Sequence, residues 1–177
     1  MAQLARRKLQ LHQVWLMVSP GNPLKPAQGT ASPAARLASA AGVADGRRIV
    51  ATDIERRLGT RYTADTLRTL RRRFPRVRFV WLMGADNLVQ LPRWRHWRRI
   101  VRQMPFAVLP RPSYNHRALA GLAAQQLRPA QHLCRFAPAL AAIAPPAWVF
   151  LSVRQHSASA TAIRQSARRL VPAATGV

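Results

Sequence analysis

Short, wholly apolar runs separated by stretches of helical or polar pattern organise this chain. Residues 14–18 (VWLMV) are apolar without a break and end at Ser19-Pro20-Gly21, which predicts a strand covered on both faces in a parallel sheet. Residues 49–52, 78–83, 106–109 and 148–153 repeat the pattern, and 78–83 (RFVWLM) is the strongest of them. Between these runs the period changes. In residues 2–11, Leu4, Leu9 and Leu11 sit among Arg6, Arg7 and Lys8, which suits a short helix with a solvated basic side and no capping residue ahead of it. Residues 34–41, 88–91, 98–103 and 117–127 also read as helical. The clearest helix begins at Thr63 as N-cap, carries Asp65 near the positive end of the dipole, and places Leu67, Leu70 and Phe74 at helical spacing before Pro75 stops it. A last helix is predicted over 161–170, with Ser159 near its cap.

Polar punctuation divides these elements. Residues 20–33 hold four prolines and two glycines and predict a loop, and 58–61 predict a turn around Gly59. Gly84-Ala85-Asp86 predicts a tight turn at the carboxyl end of a central strand, the place where an open α/β sheet keeps its ligand. The Ala- and Pro-rich residues 128–147 read as a surface excursion rather than a second domain. Strand and helix in alternation, without internal repeats or heptads, predict a single α/β domain over residues 1–177 with a doubly wound sheet.

Composition sharpens this picture. A length of 177 residues with 49% hydrophobic content is enough for one buried core and excludes disorder as the main state. The 29 basic residues against 5 acidic ones give a formal charge of +24, so polyanions are the first partners to consider. Only Lys8 and Lys25 are lysines, and the same richness in Arg and Ala is what a GC-rich genome produces without selection for binding. Both explanations stay open. Cys134 is alone, which excludes an intrachain disulfide and an all-cysteine metal site. No stretch reaches the ~18 to 20 apolar residues that span a bilayer, and no signal-type apolar core follows the first ten residues, so a soluble cytoplasmic protein is expected.

Three places hold polar residues that a packed sheet does not require. At Gly84-Ala85-Asp86-Asn87, glycine admits a ligand to the backbone and the carboxylate can accept both hydroxyls of a ribose; otherwise Asp86 simply caps the following helix. Residues 157–164 (SASATAIR) offer hydroxyls and Arg164 at a helix start, which is either a phosphate site or a plain serine cap. Residues 91–99 (LPRWRHWRR) interleave tryptophan with arginine and can stack a flat heterocycle beside negative charge, although helical tryptophans also serve as core. The five histidines show no metal-ligand spacing, and no nucleophilic triad or carboxylate pair can be assembled.

Taken in order, VWLMVSPGNPLK at 14–25, RYTADTLRTLRRRFP at 61–75, FVWLMGADNL at 79–88, LPRWRHW at 91–97 and SATAIR at 159–164 resemble the bacterial nicotinate-nucleotide adenylyltransferases of the nucleotidyltransferase superfamily. The resemblance implies a Rossmann-like fold, mostly parallel with helices on both faces. It implies transfer of the AMP part of ATP to nicotinic acid mononucleotide in NAD biosynthesis, giving deamido-NAD and pyrophosphate, with Mg2+ bound alongside ATP. It further implies that Gly84 and Asp86 meet the adenosine part, that Thr63 lies near the nicotinate ring and that Trp94 stacks on it. Arg95 is implicated through its backbone N–H toward the ring carboxylate, and its side chain replaces the aromatic often found there. Ser159, Thr161 and Arg164 correspond to a motif that holds ATP phosphates, with Ala160 in place of a second serine and Arg164 carrying the catalytic role; Lys25 is a further phosphate partner.

One departure is large. The family pattern begins with a strand and a G-G-x-F-[DN]-P-x-H-x-G-H loop, and no such stretch occurs in this sequence, which enters the pattern in the helix that follows. The resemblance therefore implies a sheet without its first central strand, two neighbours without a ladder partner, and little activity without the histidine loop. A misassigned start or an inactive truncated relic would each account for it. A basic nucleic-acid binder is the other reading of the charge, although the arginines are spread over every element and no base-reading motif is present.

Overall fold

Where two apolar runs lie side by side, each residue's backbone partner is found in the neighbour and the side chains alternate between two faces. The computed structural model of the chain describes residues 1–19 and 31–152. The elements are α1 (Ala2–Lys8), β1 (Val14–Met17), α2 (Pro33–Ala41), β2 (Ile49–Thr52), α3 (Ile54–Arg57), α4 (Thr63–Arg73), β3 (Trp81–Gly84), α5 (Ala85–Gln90), α6 (Trp97–Gln103), β4 (Phe106–Leu109), α7 (Asn115–Leu119), α8 (Leu122–Gln126), β5 (Gln131–His132) and β6 (Trp148–Phe150). The strands form two sheets, one of β1-β2 and one in the order β3-β4-β6-β5. Every pairing among the described residues is parallel.

Side-chain alternation builds a layer on each face of the larger sheet. Phe106 and Val108 from β4, with Trp148 from β6 and Met83 from β3, join Leu67, Leu70, Leu88 and Ile100 of the helices in one core. Ala107, Val149 and Leu151 point the other way, onto Ala5 and Leu9 at the α1 end and onto Ala137 and Leu140. Phe106 and Trp148 stack with ring centroids 5.6 Å apart, and Trp148 Nε1 donates to the Leu127 carbonyl at 2.8 Å. The α/β class with a parallel sheet and helices on both faces is thus the architecture observed.

Several local expectations change. Thr63 is the first helical residue rather than the cap: Tyr62 occupies the N-cap position and makes no side-chain capping bond. The strand expected over 78–83 pairs only from Trp81 to Gly84, because β4 offers ladder partners only from Phe106 and the opposite edge of β3 has none. The chain then passes from Gly84 directly into α5, and Asp86 lies inside that helix without capping it. The helix expected over 117–127 is two, α7 and α8, with Gly121 in extended backbone between them (ψ 160°). Residues 128–147 are no mere surface excursion: β5 extends the sheet, and Ala137, Leu140 and Ala147 are fully buried. Of the loop expected over 20–33, residues 20–30 lie outside the described residues and Pro33 already opens α2; the end of the strand expected over 148–153 and the helix over 161–170 also lie outside them.

Candidate active site

Strands β1 and β3 each have one edge without a ladder partner, the two unpartnered neighbours expected above, and a space of about 1370 Å³ runs along both edges. Its walls include every residue from Val14 to Ser19 and from Arg78 to Gly84. A cavity over a sheet face would meet alternate residues, so consecutive lining identifies a slot between two strand edges. Thr63, Trp94, Arg95, Gly84 and Asn87 line the same space. Glu55 lies in the same wall; it is buried and its Oε1 accepts the Thr66 hydroxyl at 3.2 Å.

The loop from β3 toward α6 supplies the aromatic wall. Leu91 is fully buried and anchors a 3-10 turn over Leu91–Arg93, after which Trp94 turns to extended backbone. Trp94 packs on Trp81 with centroids 5.8 Å apart, and its Nε1 is buried with no hydrogen-bond partner. His96 takes a left-handed conformation (φ 56°) just before α6, which lets the chain reverse between the exposed Arg95 and the buried Trp97. The Arg95 guanidinium lies over the Tyr62 ring, 4.7 Å from its centroid, and Arg95 Nε lies 3.3 Å from His96 Nε2.

Asp86 occupies a second position at the same sheet end. Its Oδ1 is buried without a hydrogen-bond donor and lies 3.5 Å from Arg111 Nε, a charge pairing just past the end of β4. Arg111 is held by its backbone, whose N–H donates to Asn115 Oδ1 at 2.8 Å. A side chain at position 84 would press on the Asp86 carboxylate and come to 3.0 Å from Arg111 Nε, so glycine leaves this ion pair undisturbed. Asp86 Oδ1 is thus held by charge rather than by a hydrogen bond and keeps accepting capacity for a further donor.

The structure therefore brings Thr63, Gly84, Trp94 and Arg95 to one cavity, with Asp86 beside it against Arg111. Lys25, Ser159, Thr161 and Arg164 lie outside the described residues. Tyr62 and Arg111 were not singled out from the sequence. Their signal is spatial: Tyr62 meets Arg95, and Arg111 meets Asp86, across separate segments. Among the described residues no group of three or more His, Cys, Asp or Glu could hold a metal ion, and no helix is long and apolar enough to cross a membrane.

A parallel α/β sheet with helices on both faces, whose strand β3 ends in a glycine and passes into a helix carrying Asp86 at the carboxyl end of the sheet, is the arrangement of a nucleotide-binding fold. The sequence profile of the cytidylyltransferase-like family matches residues 1–166, and the chain belongs to that family. Within it, the chain is 62% identical to a probable nicotinate-nucleotide adenylyltransferase of Gluconacetobacter diazotrophicus, over 96% of this chain and 79% of the relative. Proteins of the same description from Gluconobacter oxydans and Parvibaculum lavamentivorans are 57% and 50% identical, covering 94% and 92% of this chain and 85% and 81% of the relatives.

Proposed function

We propose that the chain is a nicotinate-nucleotide adenylyltransferase that transfers the AMP part of ATP to nicotinic acid mononucleotide. The observation that carries this reading is the end of β3, where Gly84 passes into the helix that holds Asp86 against Arg111, with Gly84, Trp94 and Arg95 lining one space. The identity of its relatives supports the same reading over the nucleic-acid alternative.

The chemistry asks little of protein acids and bases. The mononucleotide phosphate is already ionised, and one of its oxygens attacks the α-phosphorus of ATP. A new O–P bond forms as the bond to the bridging oxygen breaks, and the electron pair leaves on pyrophosphate. Catalysis then rests on holding two anions in line and stabilising charge at the crowded phosphorus. In this reading Trp94 supports the nicotinate ring, the Thr63 region closes over it, and Gly84 lets the nucleotide approach the backbone. Asp86 accepts ribose hydroxyls of the adenosine, with Arg111 keeping its charge in place. Lys25, Ser159, Thr161 and Arg164 are proposed to hold the ATP phosphates, and Arg164 to act on the transition state. Mg2+ would accompany the ATP phosphates; the described residues supply no cage for it, so no step is assigned to it. A cytoplasmic location belongs to the same reading, and cell fractionation checks it.

The direct test is incubation of the purified protein with ATP, Mg2+ and nicotinic acid mononucleotide, followed by mass spectrometry of the dinucleotide and a pyrophosphate assay. Deamido-NAD and pyrophosphate in equal amounts are expected. Salt-sensitive binding of random DNA with neither product formed would instead select the nucleic-acid binder.

A further inference from the structure

Among the described residues that line the space beside β1 and β3 there is one carboxylate, Glu55, and it is buried without an ion pair to any described cation. A buried charge needs a substitute for the missing cation. Glu55 finds it in hydroxyls: its Oε1 accepts the Thr66 hydroxyl at 3.2 Å, and the Thr60 hydroxyl lies 2.8 Å from that of Thr66. A carboxylate only accepts, so the Thr66 proton goes to Glu55 and the Thr60 proton to Thr66, a chain with one direction. The Thr66 oxygen also lies 3.2 Å from the Tyr62 carbonyl, which accepts the Asp65 and Thr66 N–H groups at 2.9 and 3.0 Å. The backbone brings the parts together. Gly59, at φ 64°, turns the chain after α3 so that the Thr60 N–H donates to the Glu55 carbonyl at 3.0 Å. Thr66 stands in α4 three residues after Thr63 and is inaccessible to solvent. Tyr62, at the N-cap, makes no side-chain capping bond, so the start of α4 is fixed from behind through Thr66 instead.

We propose that Glu55 is a positioning residue for the mononucleotide: acting through Thr66, it holds residues 60–63 in the place where the acceptor ring docks. This rests on the proposed function, which puts the nicotinate ring beside Thr63. Glu55 acts at one remove, because the group offered to the ring is the start of α4, where Tyr62 and Thr63 line the same space. A turn without this link would have to be ordered by the ligand itself, at a cost in affinity. Were Glu55 and Thr66 only a fastening between α3 and α4, binding would instead fall in step with stability.

The test measures dissociation constants of the intact chain for nicotinic acid mononucleotide and for ATP by calorimetry, with two substitutions that separate the hydroxyl from the packing. Thr66→Val keeps the volume and loses the hydroxyl. Its mononucleotide constant should rise about fivefold, the effect of about one hydrogen bond, while the ATP constant stays within about twofold. Thr66→Ser keeps the hydroxyl and opens a methyl-sized gap, so its melting temperature should fall while both constants stay within about twofold of the parent. Glu55→Gln keeps the volume and an acceptor but not the charge, and should raise the mononucleotide constant about threefold and speed hydrogen exchange over residues 61–67 of the free chain. Combined with Thr66→Val it should add nothing, since the two residues act as one link. If Thr66→Val does not fold, Glu55→Gln and Thr66→Ser decide by the same contrast. Equal weakening in the Val and Ser variants, equal weakening of both ligands, or unchanged binding and exchange in Glu55→Gln would each overturn the inference while leaving the proposed function standing. A parent chain that does not bind the mononucleotide would overturn both.

Discussion

Strands β4 and β6 have a strand on each side, whereas β1 and β3 each turn one edge to the slot, and the burial of their side chains follows that division. Phe106, Ala107, Val108, Trp148 and Val149 are inaccessible to solvent, while Trp15, Leu16, Met17, Trp81 and Leu82 are only partly covered. Two halves of one fold thus have different duties. The doubly flanked strands carry the packing, and the single-edged strands frame the place where polar and aromatic groups gather. A site built from incompletely covered residues keeps room for a ligand, and it is drawn from the less stable part of the fold.

The largest expected effect tests the packed half. Trp148→Ala removes a fully buried ring stacked on Phe106 and leaves the Leu127 carbonyl without its donor, so a loss of about 3 to 5 kcal/mol is expected in urea unfolding. Trp15→Ala, on the slot side, removes partly covered edge contacts with Phe74 and Phe79 and should cost well under half as much. Equal losses would erase the distinction between the halves.

Next come two changes at the slot. Trp94→Ala should raise the Michaelis constant for the mononucleotide about tenfold or more and change that for ATP little, since stacking on an aromatic is worth about 1 to 3 kcal/mol in base-binding sites. Equal effects on both substrates would make Trp94 a core residue packed on Trp81. Asp86→Ala should act on ATP instead, raising its Michaelis constant roughly tenfold or more, because hydrogen bonds to charged groups contribute about 1.5 to 3 kcal/mol. A fall in melting temperature without a change in ATP affinity would reduce Asp86 to a partner of Arg111.

How much of this division is written locally along the chain depends on how local its cause is. The runs that became β2 and β4 were legible to the residue, because each is a short apolar segment whose ends are marked by polar or proline residues. Phe79 and Val80 have the same apolar character but no ladder partner, so pairing and not propensity decided where β3 starts. Gly121 divides a stretch whose hydrophobic spacing alone reads as one helix. In the site, Gly84, Asp86, Thr63, Trp94 and Arg95 were visible as motif positions. Arg111 was not, and Tyr62, although inside the quoted stretch at 61–75, carried no role, since the meaning of both comes from contacts made across the fold.

The smallest effect lies in the loop entering β2. Asp45 Oδ1 accepts the backbone N–H groups of Ile49, Arg48 and Arg47, and these bonds, that of Ile49 first, hold its carboxyl below the ordinary 3.8. Asp53 is held below the same value chiefly by the side-chain hydrogen bond from Arg56. A carboxyl lowered on folding stabilises above its unfolded pKa, and that contribution is lost as pH falls through the folded value. Stability should therefore decline below about pH 4, and Asp45→Asn should flatten part of that decline without altering nucleotide binding near neutrality. An unchanged acid limb in the variant would remove Asp45 from the account.

The central claim, that ligand binding belongs to the single-edged half, is tested most directly by hydrogen–deuterium exchange with and without nicotinic acid mononucleotide. Slower exchange is expected in peptides covering residues 61–67 and 91–97, with residues 71–75 of the arginine-rich helix end unchanged. Protection confined to residues 71–75, with none at the Tyr62 and Trp94 segments, would contradict it and place anion binding on the outer basic surface.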